Sequence, residues 1–184
     1  MPRIAPVTEQ NANPDQKAVL STVKAKFGGV PNLLATLTNA PAAANAYLAL
    51  SGALADTSLS AKQREQIALA IAGANSCDYC AAAHTAIGAG VGLSKDAAAE
   101  SLAGHAEDPK DAALLTLARQ IVEQRGFLQD DQIEAARDAG ISDPEILEVV
   151  ALVALNILTN YTNHIAETEI DFPKVTLPEP AETT

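Results

Sequence analysis

Apolar positions along the chain recur at helical spacing, and no segment alternates apolar and polar residues over a useful length. Within residues 60–74, Ile67, Ile71 and Ala74 lie three or four positions apart, so they share one face of a helix. A second apolar run extends from Val149 to Leu158. This pattern predicts an all-α protein of roughly seven to ten helices.

The boundaries of these helices are marked by capping residues, prolines and glycines. Ser60–Gln63 and Ser142–Glu145 have the capping-box pattern, in which a serine is followed three residues later by glutamine or glutamate. Ser76 is predicted to cap the helix that follows it. The predicted helix starts are Asn13–Pro14, Pro31, Pro41, Ser60, Ser76, Ser94, Asp108–Pro109, Asp130 or Asp131, and Ser142, and predicted stops include Gly28–Gly29, Gly126 and Gly140.

The length of the chain suits one domain with a tail. The chain has 184 residues, of which 48% are hydrophobic, so it can bury a sizeable core. Aromatic residues make up only 3%, so alanine and branched aliphatic side chains must fill a core of closely packed helices. We expect a single helical domain over residues 1–172 and a flexible, proline-containing tail over residues 173–184.

A candidate internal repeat relates two segments that are 80 residues apart in sequence. Glu65 to His84 aligns with Glu145 to His164, and Cys80 then falls opposite Asn160. Few identities support this alignment, and two helix-rich segments can match this well by chance. If it is a duplication, the second copy shapes the pocket without redox chemistry.

The charge of the chain restricts its partners. The formal net charge is −11, which repels nucleic acid and anionic lipid surfaces. Prolines interrupt residues 1–7, where an export signal would need an unbroken apolar run. The run from Val149 to Leu158 is about half the length that crosses a bilayer, and Asn156 interrupts it. We therefore expect a soluble, cytoplasmic protein that binds neither nucleic acid nor membrane.

The only two cysteines, Cys77 and Cys80, are followed by His84. On a helix these three positions fall within an arc of roughly 60°, so both sulfurs and the imidazole project from one face. A thiol with a pKa of about 8.5 is only a few per cent thiolate at pH 7, and a nearby histidine can take its proton. In a reducing cytosol such a pair is more often catalytic or metal-binding than a structural staple. The segment therefore predicts redox chemistry.

Metal binding is the competing interpretation of the cysteine pair. A structural zinc site needs four ligands, and this chain offers no second cysteine pair and only three histidines, so we expect no metal. We expect His105 to lie in a loop. We expect His164, with Asn160 and Asn163, to form hydrogen bonds in the core, the alternative being that it lines the pocket.

Glu65, Cys77, Cys80 and His84 together resemble the Glu…Cys-x-x-Cys-x-x-x-His pattern of AhpD-like alkylhydroperoxidases in the carboxymuconolactone decarboxylase family. The spacing agrees at all four positions. The segments Val30–Leu33 and Asn160–Pro173 are similar to segments of the longer, peroxidase-related members. The resemblance therefore spans nearly the whole chain and implies a compact AhpD-like helical domain.

The resemblance also implies a role for each of the four residues in a cofactor-free, cysteine-dependent peroxidase acting on organic hydroperoxides. Cys80 matches the peroxidatic cysteine, which becomes a sulfenic acid, and Cys77 matches the resolving cysteine, which converts it to a disulfide. His84 and Glu65 match a proton relay that deprotonates Cys80. Some members carry a histidine between the cysteines, where this chain has Tyr79, and the chain thus lacks one candidate proton carrier.

Without the resemblance, the two sulfurs compete for the role of thiolate. Cys77 is closer to the helix N-terminus, whose partial positive charge lowers a thiol pKa, whereas Cys80 is closer to His84. A helix terminus contributes about 0.3–1 kcal/mol at an exposed site, which is less than one pKa unit. An adjacent base removes the proton outright, which favours Cys80.

Partners and alternative functions complete the prediction. The resemblance implies an external thiol reductant, which for some relatives is a dihydrolipoyl group on a carrier protein, and a homo-oligomer of three or six subunits. One alternative is a dithiol redox sensor or disulfide oxidoreductase without peroxidase turnover. Another is a decarboxylase-type member of the family, but those relatives lack the cysteine pair.

Overall fold

The computed structural model describes residues 1–178, which form nine α-helices, one short 3₁₀ turn and no β-strand. This confirms the all-α prediction. The helices are α1 Pro14–Phe27, α2 Asn32–Leu37, α3 Pro41–Ala53, α4 Ala61–Ala74, α5 Asp78–Gly90, α6 Lys95–Ala103, α7 Pro109–Glu123, α8 Asp130–Asp138 and α9 Asp143–Ala166.

Most helices begin where their capping groups lie in the sequence. Ser60 and Ser142 each accept a hydrogen bond from the backbone amide three residues later, and the side-chain oxygen at that position accepts one from the backbone amide of the serine. Asn13 does the same at the start of α1. These bonds satisfy amide groups that the first helical turn leaves unpaired, which is why the local sequence sets the boundaries.

The start of α5 and the end of α9 differ from the predictions. Ser76 does not cap α5: it lies in the left-handed region at φ 53°, and Cys77 occupies the N-cap position. The apolar run that begins at Val149 predicts a helix to Leu158, but α9 continues to Ala166. It continues because Asn160 and Asn163, although polar, lie on its buried face and find partners inside the protein.

The two segments of the candidate repeat have different backbones. Residues 65–84 include the end of α4, a break between the helices, and the start of α5. Residues 145–164 lie within α9 without a break. The positive φ of Ser76 lies at the break in the first segment, and the second segment has no such break. The two segments therefore do not share one backbone structure.

The central helix is α4, which packs against α5, α6, α7 and α9. Its side chains Ile67, Leu69 and Ile71 are fully buried. One core cluster on its flank contains both cysteines and residues of α1, α2 and α3, and a second joins α7 to α9. Because α4 contributes to both clusters, residues at its surface are held rigidly beside the cysteines.

α9 is the one described helix that is long and apolar enough to cross a membrane. Core helices of soluble proteins often have the same length and apolar composition. Here α9 packs against α2, α3, α4, α5 and α7. Its Val149, Leu152 and Val153 are buried in the second core cluster.

The chain folds back over the cysteine-side core after α9. We call residues 167–178 the C-terminal segment. Its side chains Ile170, Phe172, Val175 and Leu177 pack against the cluster that holds the cysteines. The predicted tail begins within this segment, and the rest of that tail, residues 179–184, lies outside the described residues.

Gly73 of α4 lies directly against the backbone of α6, with no room for a side chain. A Cβ atom on Gly73 would overlap the carbonyl group of Leu102. We therefore expect Gly73→Ala to destabilise the protein by about 1–3 kcal/mol, because the two helices must move apart. Urea denaturation of the variant and the parent would measure this difference.

Gly90→Ala is the matched control. It lies at the end of α5, and no atom lies within 4 Å of a Cβ built there. Alanine is the better helix former by about 1 kcal/mol, so this variant should be neutral or slightly stabilised. Equal losses of stability in both variants would contradict the packing described for Gly73.

Candidate active site

The two cysteines lie at the N-terminus of α5, immediately after the break that Ser76 makes. Both are free thiols and nearly inaccessible, with 1% of Cys77 and 2% of Cys80 exposed. As N-cap, Cys77 is not helical, and its Sγ accepts a hydrogen bond from the backbone amide of Cys80 at 3.4 Å. The sulfur of Cys77 therefore occupies the place that a serine or aspartate oxygen takes at other helix starts.

The two sulfurs differ in acidity because they share one hydrogen-bonded site. The hydrogen bond from the Cys80 side chain lowers the pKa of Cys77 by more than burial raises it. The same interaction with Cys77, together with burial, raises the pKa of Cys80 strongly. When the pair carries one negative charge, that charge is more stable on Cys77, as its place at the helix terminus favours.

Cys80, the less acidic of the two thiols, is the one that a substrate can reach. A cavity of about 310 Å³ is bordered by Cys80, His84 and Glu65, and Cys77 is not among the described residues that line it. Its walls are mainly apolar, with four aromatic rings. The aromatic and larger aliphatic lining residues are Phe27, Tyr47, Tyr79, Phe172, Leu33, Leu34, Leu54, Ile87, Leu152 and Leu155. A molecule in this cavity would meet the sulfur of Cys80.

His84 and Glu65 form an ion pair on the same cavity. Nδ1 of His84 lies 2.8 Å from Oε2 of Glu65, across the contact between α5 and α4. Burial lowers the pKa of His84, but the charge and hydrogen bond of Glu65 outweigh it, so the net pKa is raised. The carboxylate thus orients the ring and leaves its Nε2 unengaged by Glu65. The structure brings together all four residues that the spacing singled out.

Tyr79, between the two cysteines, is held by partners away from the sulfurs. Its hydroxyl donates to Oδ1 of Asp171 at 2.7 Å and accepts from the backbone amide of Leu33 at 3.1 Å. Its ring meets Phe172 edge-on, with centroids 5.7 Å apart. Burial raises the pKa of Tyr79 strongly, so its hydroxyl stays protonated. Tyr79 therefore connects α5 to α2 and to the C-terminal segment.

Asn160 and Asn163 lie beside the sulfurs, a position that the sequence pattern did not predict. Nδ2 of Asn163 donates to Sγ of Cys80 at 3.2 Å. Oδ1 of Asn160 accepts from Nδ2 of Asn75 at 2.9 Å. One feature of the sequence could have indicated this position: two asparagines lie three positions apart on an otherwise apolar helix. A buried amide needs a hydrogen-bond partner.

The other two histidines lie apart from the cysteine pair. Both expectations for His164 are wrong: it is exposed and stacks on Tyr161, because its position on α9 faces away from Asn160 and Asn163. His105 lies in the loop after α6, as predicted, with its Nδ1 3.5 Å from Glu100. Within residues 1–178, no group of three or more His, Cys, Asp or Glu side chains is placed to hold a metal ion.

Comparison with solved structures finds the same fold in several proteins. An uncharacterized peroxidase-related protein from Ralstonia eutropha JMP134, described as an alkylhydroperoxidase AhpD core, is 27% identical, with a TM-score of 0.81 over 92% of each chain. An uncharacterized peroxidase-related protein from Silicibacter sp. TM1040 is 20% identical, with a TM-score of 0.77 over 91% of this chain and 93% of that one. No curated protein matches the chain.

The fold is also shared with an enzyme of different chemistry. The debrominase Bmp8, in complex with 2,3,4-tribromopyrrole, is 18% identical, with a TM-score of 0.76 over 91% of each chain. At that identity the likeness shows the fold alone.

The family model of the carboxymuconolactone decarboxylase family matches residues 41–124, from the start of α3 to just beyond α7. This segment contains Glu65, both cysteines and His84. The neighbouring structures extend the likeness over nearly the whole chain. Residues 41–124 thus match the carboxymuconolactone decarboxylase family, and the chain has an AhpD-like fold.

Proposed function

We propose that the protein is a cysteine-dependent peroxidase that reduces organic hydroperoxides with the Cys77–Cys80 dithiol. The observation that supports it is the division between the two thiols: Cys80 borders the cavity, and Cys77 lies behind it within hydrogen-bond distance. An attacking thiol needs access to substrate, whereas a resolving thiol needs access only to its partner.

The proposed reaction balances within the dithiol. The thiolate of Cys80 attacks the distal oxygen of the hydroperoxide, the O–O bond breaks, and the alkoxide leaves with a proton to become the alcohol. Cys80 is then a sulfenic acid. Cys77 attacks its sulfur and releases water, so two thiols become one disulfide while one hydroperoxide becomes alcohol and water. An external dithiol reduces the disulfide and closes the cycle.

The Glu65–His84 pair supplies and receives the protons in this scheme. The raised pKa of His84 favours its protonated form, which can donate a proton to the departing alkoxide. Once neutral, it can accept a proton from a thiol, which is the relay role proposed from the sequence. Glu65 acts through His84 by holding the ring and stabilising its charge.

The walls of the cavity support an apolar substrate. Aromatic and aliphatic side chains cover most of the lining, and the side chains in it that can carry opposite charges are Arg64, Glu65 and His84. Such a site favours a hydroperoxide on a hydrocarbon or aromatic group over hydrogen peroxide. We further propose a dihydrolipoyl group on a carrier protein as reductant, because its long arm could enter the same opening.

Reductive dehalogenation is the second candidate function. The shared fold of a debrominase and the aromatic lining of this cavity support it. The electron balance is the same, since an aryl bromide and a dithiol give an arene, bromide, a proton and a disulfide. A redox sensor that is oxidised once per event and a decarboxylase are the remaining alternatives, and the dithiol counts against the decarboxylase.

The surface of α9 and the redox cycle of the dithiol bear on the assembly and the location of the protein. Apolar side chains are exposed along one face of α9, at Leu147, Val150, Tyr161 and Ile165, which supports a homo-oligomer of three or six subunits. A dithiol that must be reduced in every cycle supports a cytoplasmic location.

Steady-state turnover tests the function. Wild-type protein with dihydrolipoamide should consume cumene hydroperoxide continuously, because the disulfide is reduced after each cycle. Cys77→Ser and Cys80→Ser should each lose this turnover. Oxidation that stops after one equivalent in the presence of reductant would contradict the peroxidase and favour the sensor, and bromide release from a bromopyrrole without peroxide consumption would favour dehalogenation.

Sulfenic acid trapping tests which sulfur attacks. After one equivalent of hydroperoxide, a sulfenic-acid probe should label Cys80 in the Cys77→Ser protein, because Cys80 borders the cavity. The mirror variant, Cys80→Ser, should remain largely unlabelled. Label on Cys77 in the Cys80→Ser protein, with no label on Cys80 in the Cys77→Ser protein, would reverse the assignment.

Glu65→Gln tests the ion pair. The pKa of His84, followed by NMR, should fall, because the carboxylate raises it. A raised pKa stabilises the fold at pH values below the unfolded histidine pKa of about 6.5, and this contribution is lost as pH rises through the folded pKa. The variant should therefore lose more stability just below pH 6.5 than in alkaline solution.

Glu100→Gln provides the control for Glu65→Gln. Glu100 pairs with His105 at the surface, so its removal should leave the pKa of His84 unchanged. His84→Gln should slow peroxide reduction by roughly 10²-fold or more if the imidazole transfers protons. Full activity of both His84→Gln and Glu65→Gln would remove the pair from the mechanism.

A further inference from the structure

The two sulfurs present a mismatch between charge and access. When the pair carries one negative charge, the more acidic Cys77 holds it, whereas Cys80 borders the cavity. For Cys80 to attack, the proton must pass from Cys80 to Cys77 and the charge must pass the other way. Only 2% of Cys80 is exposed, so water can solvate that charge only weakly, and a buried charge without donors is costly. Something in the protein must take the place of water at Cys80.

Asn163 is a donor in the required position. Its Nδ2 lies 3.2 Å from Sγ of Cys80, and only 5% of the residue is exposed. Asn163 belongs to α9 and does not line the cavity within the described chain. It therefore reaches the sulfur from the protein interior and leaves the cavity side of Cys80 free for a substrate.

Asn160 lies one turn earlier on α9 and is completely buried. Its Oδ1 is held by Asn75, at the break that leads to Cys77. Among residues 1–178, its Nδ2 has no hydrogen-bond partner, and neither does Oδ1 of Asn163. Buried amide groups without partners are rare in folded proteins, so their occurrence together beside a reactive sulfur calls for a reason.

A purely structural role would use these amides poorly. A neutral thiol is a weak acceptor, so the bond from Asn163 to Cys80 contributes little while the sulfur is protonated. The same bond strengthens when the sulfur becomes anionic, because hydrogen bonds to charged groups are shorter and stronger. The arrangement therefore suits the charged form of Cys80 better than its resting form.

We propose that Asn163 and Asn160 form an amide subsite behind Cys80 that stabilises the negative charge when it passes to this sulfur. The exchange is balanced: Cys80 gives its proton to the Cys77 thiolate, and the total charge of the pair does not change. Asn163 donates to the anionic sulfur, and the free Nδ2 of Asn160 is the second donor in reserve. The amide of Asn163 lowers the pKa of Cys77 as well, so it does not fix the charge permanently on Cys80, whereas Asn160 lowers the pKa of Cys80. The inference rests on the proposed function in that it takes Cys80 as the attacking sulfur.

The test measures the acidity of Cys80 directly. In a Cys77→Ser background, the ultraviolet absorbance of the thiolate against pH reports Cys80 alone. Asn163→Leu should raise the pKa of Cys80 by roughly one unit or more, because it removes a hydrogen bond to a charged group. Asn163→Asp, which keeps the shape of the side chain, should raise it at least as far when the carboxylate is ionised. Asn160→Leu should produce a smaller rise in the same direction.

The charged and titratable groups around Cys80 must be held constant in this comparison. They come from α3, α4, α5 and the C-terminal segment, and all are unchanged in these variants. They are Tyr47, Arg64, Glu65, Tyr79, His84 and Asp171.

Asn156→Leu is the matched control. Asn156 is a buried amide on the same helix, but its Nδ2 donates to the backbone carbonyl of Leu152 at 2.9 Å and not to a sulfur. Its removal should leave the pKa of Cys80 unchanged. A rise equal to that of Asn163→Leu would attribute the effect to general loss of polarity and overturn the subsite.

The readout separates this inference from the proposed function. Thiolate absorbance needs no hydroperoxide, so an unchanged pKa of Cys80 in Asn163→Leu and Asn163→Asp overturns the subsite even if the wild-type protein turns over peroxide. Conversely, a raised pKa in a protein without peroxidase turnover supports the subsite and overturns the function. If Asn163→Leu fails to fold, as circular dichroism would show, Asn163→Asp and Asn160→Leu decide the matter in the same assay.

Discussion

The hydrogen bond between the backbone amide of Cys80 and the sulfur of Cys77 is the interaction on which the site depends. It exists because α4 ends before Ser76 and the positive φ of that residue turns the chain, so that α5 starts again with a cysteine as its cap. An uninterrupted helix would place Cys77 among ordinary helical side chains. At the N-cap, its sulfur instead receives the amide donors of the first turn and becomes the more acidic of the pair.

That arrangement separates two properties that a reactive cysteine usually combines. Cys77 is the more acidic thiol and Cys80 is the one that borders the cavity, and the neighbouring helices place polar side chains beside the site. α4 contributes Glu65, which holds His84 at the cavity, and α9 contributes Asn163, which reaches Cys80 from the interior. The central position of α4, packed against α5 and α9, keeps these distances fixed. In this AhpD-like fold, α4 and α9 therefore hold the functional side chains around the N-terminus of α5.

The cavity is closed by parts of the chain far from the cysteines. The C-terminal segment brings Asp171 to the hydroxyl of Tyr79 and to the backbone amide of Asn32, and it places Phe172 in the cavity wall. Tyr79 thus serves as an anchor where some relatives carry a histidine. The apolar lining is produced jointly by α2, α3, α9 and this segment, so the size and shape of an acceptable substrate depend on tertiary packing.

The sequence alone determined the helical class, most helix starts, and the four residues Glu65, Cys77, Cys80 and His84. It could do so because capping boxes and i, i+3, i+4 spacings act within a few residues, and the Glu-to-His spacing matches a family pattern. The tertiary structure decided the rest. It paired Cys80 with Asn163 across 83 positions and Tyr79 with Asp171 across 92. It also turned His164 to the surface, where local sequence had favoured the core. Which face of α9 is buried, and which side chain meets a sulfur, follows from how the helices pack, and no pattern within a single helix contains that information.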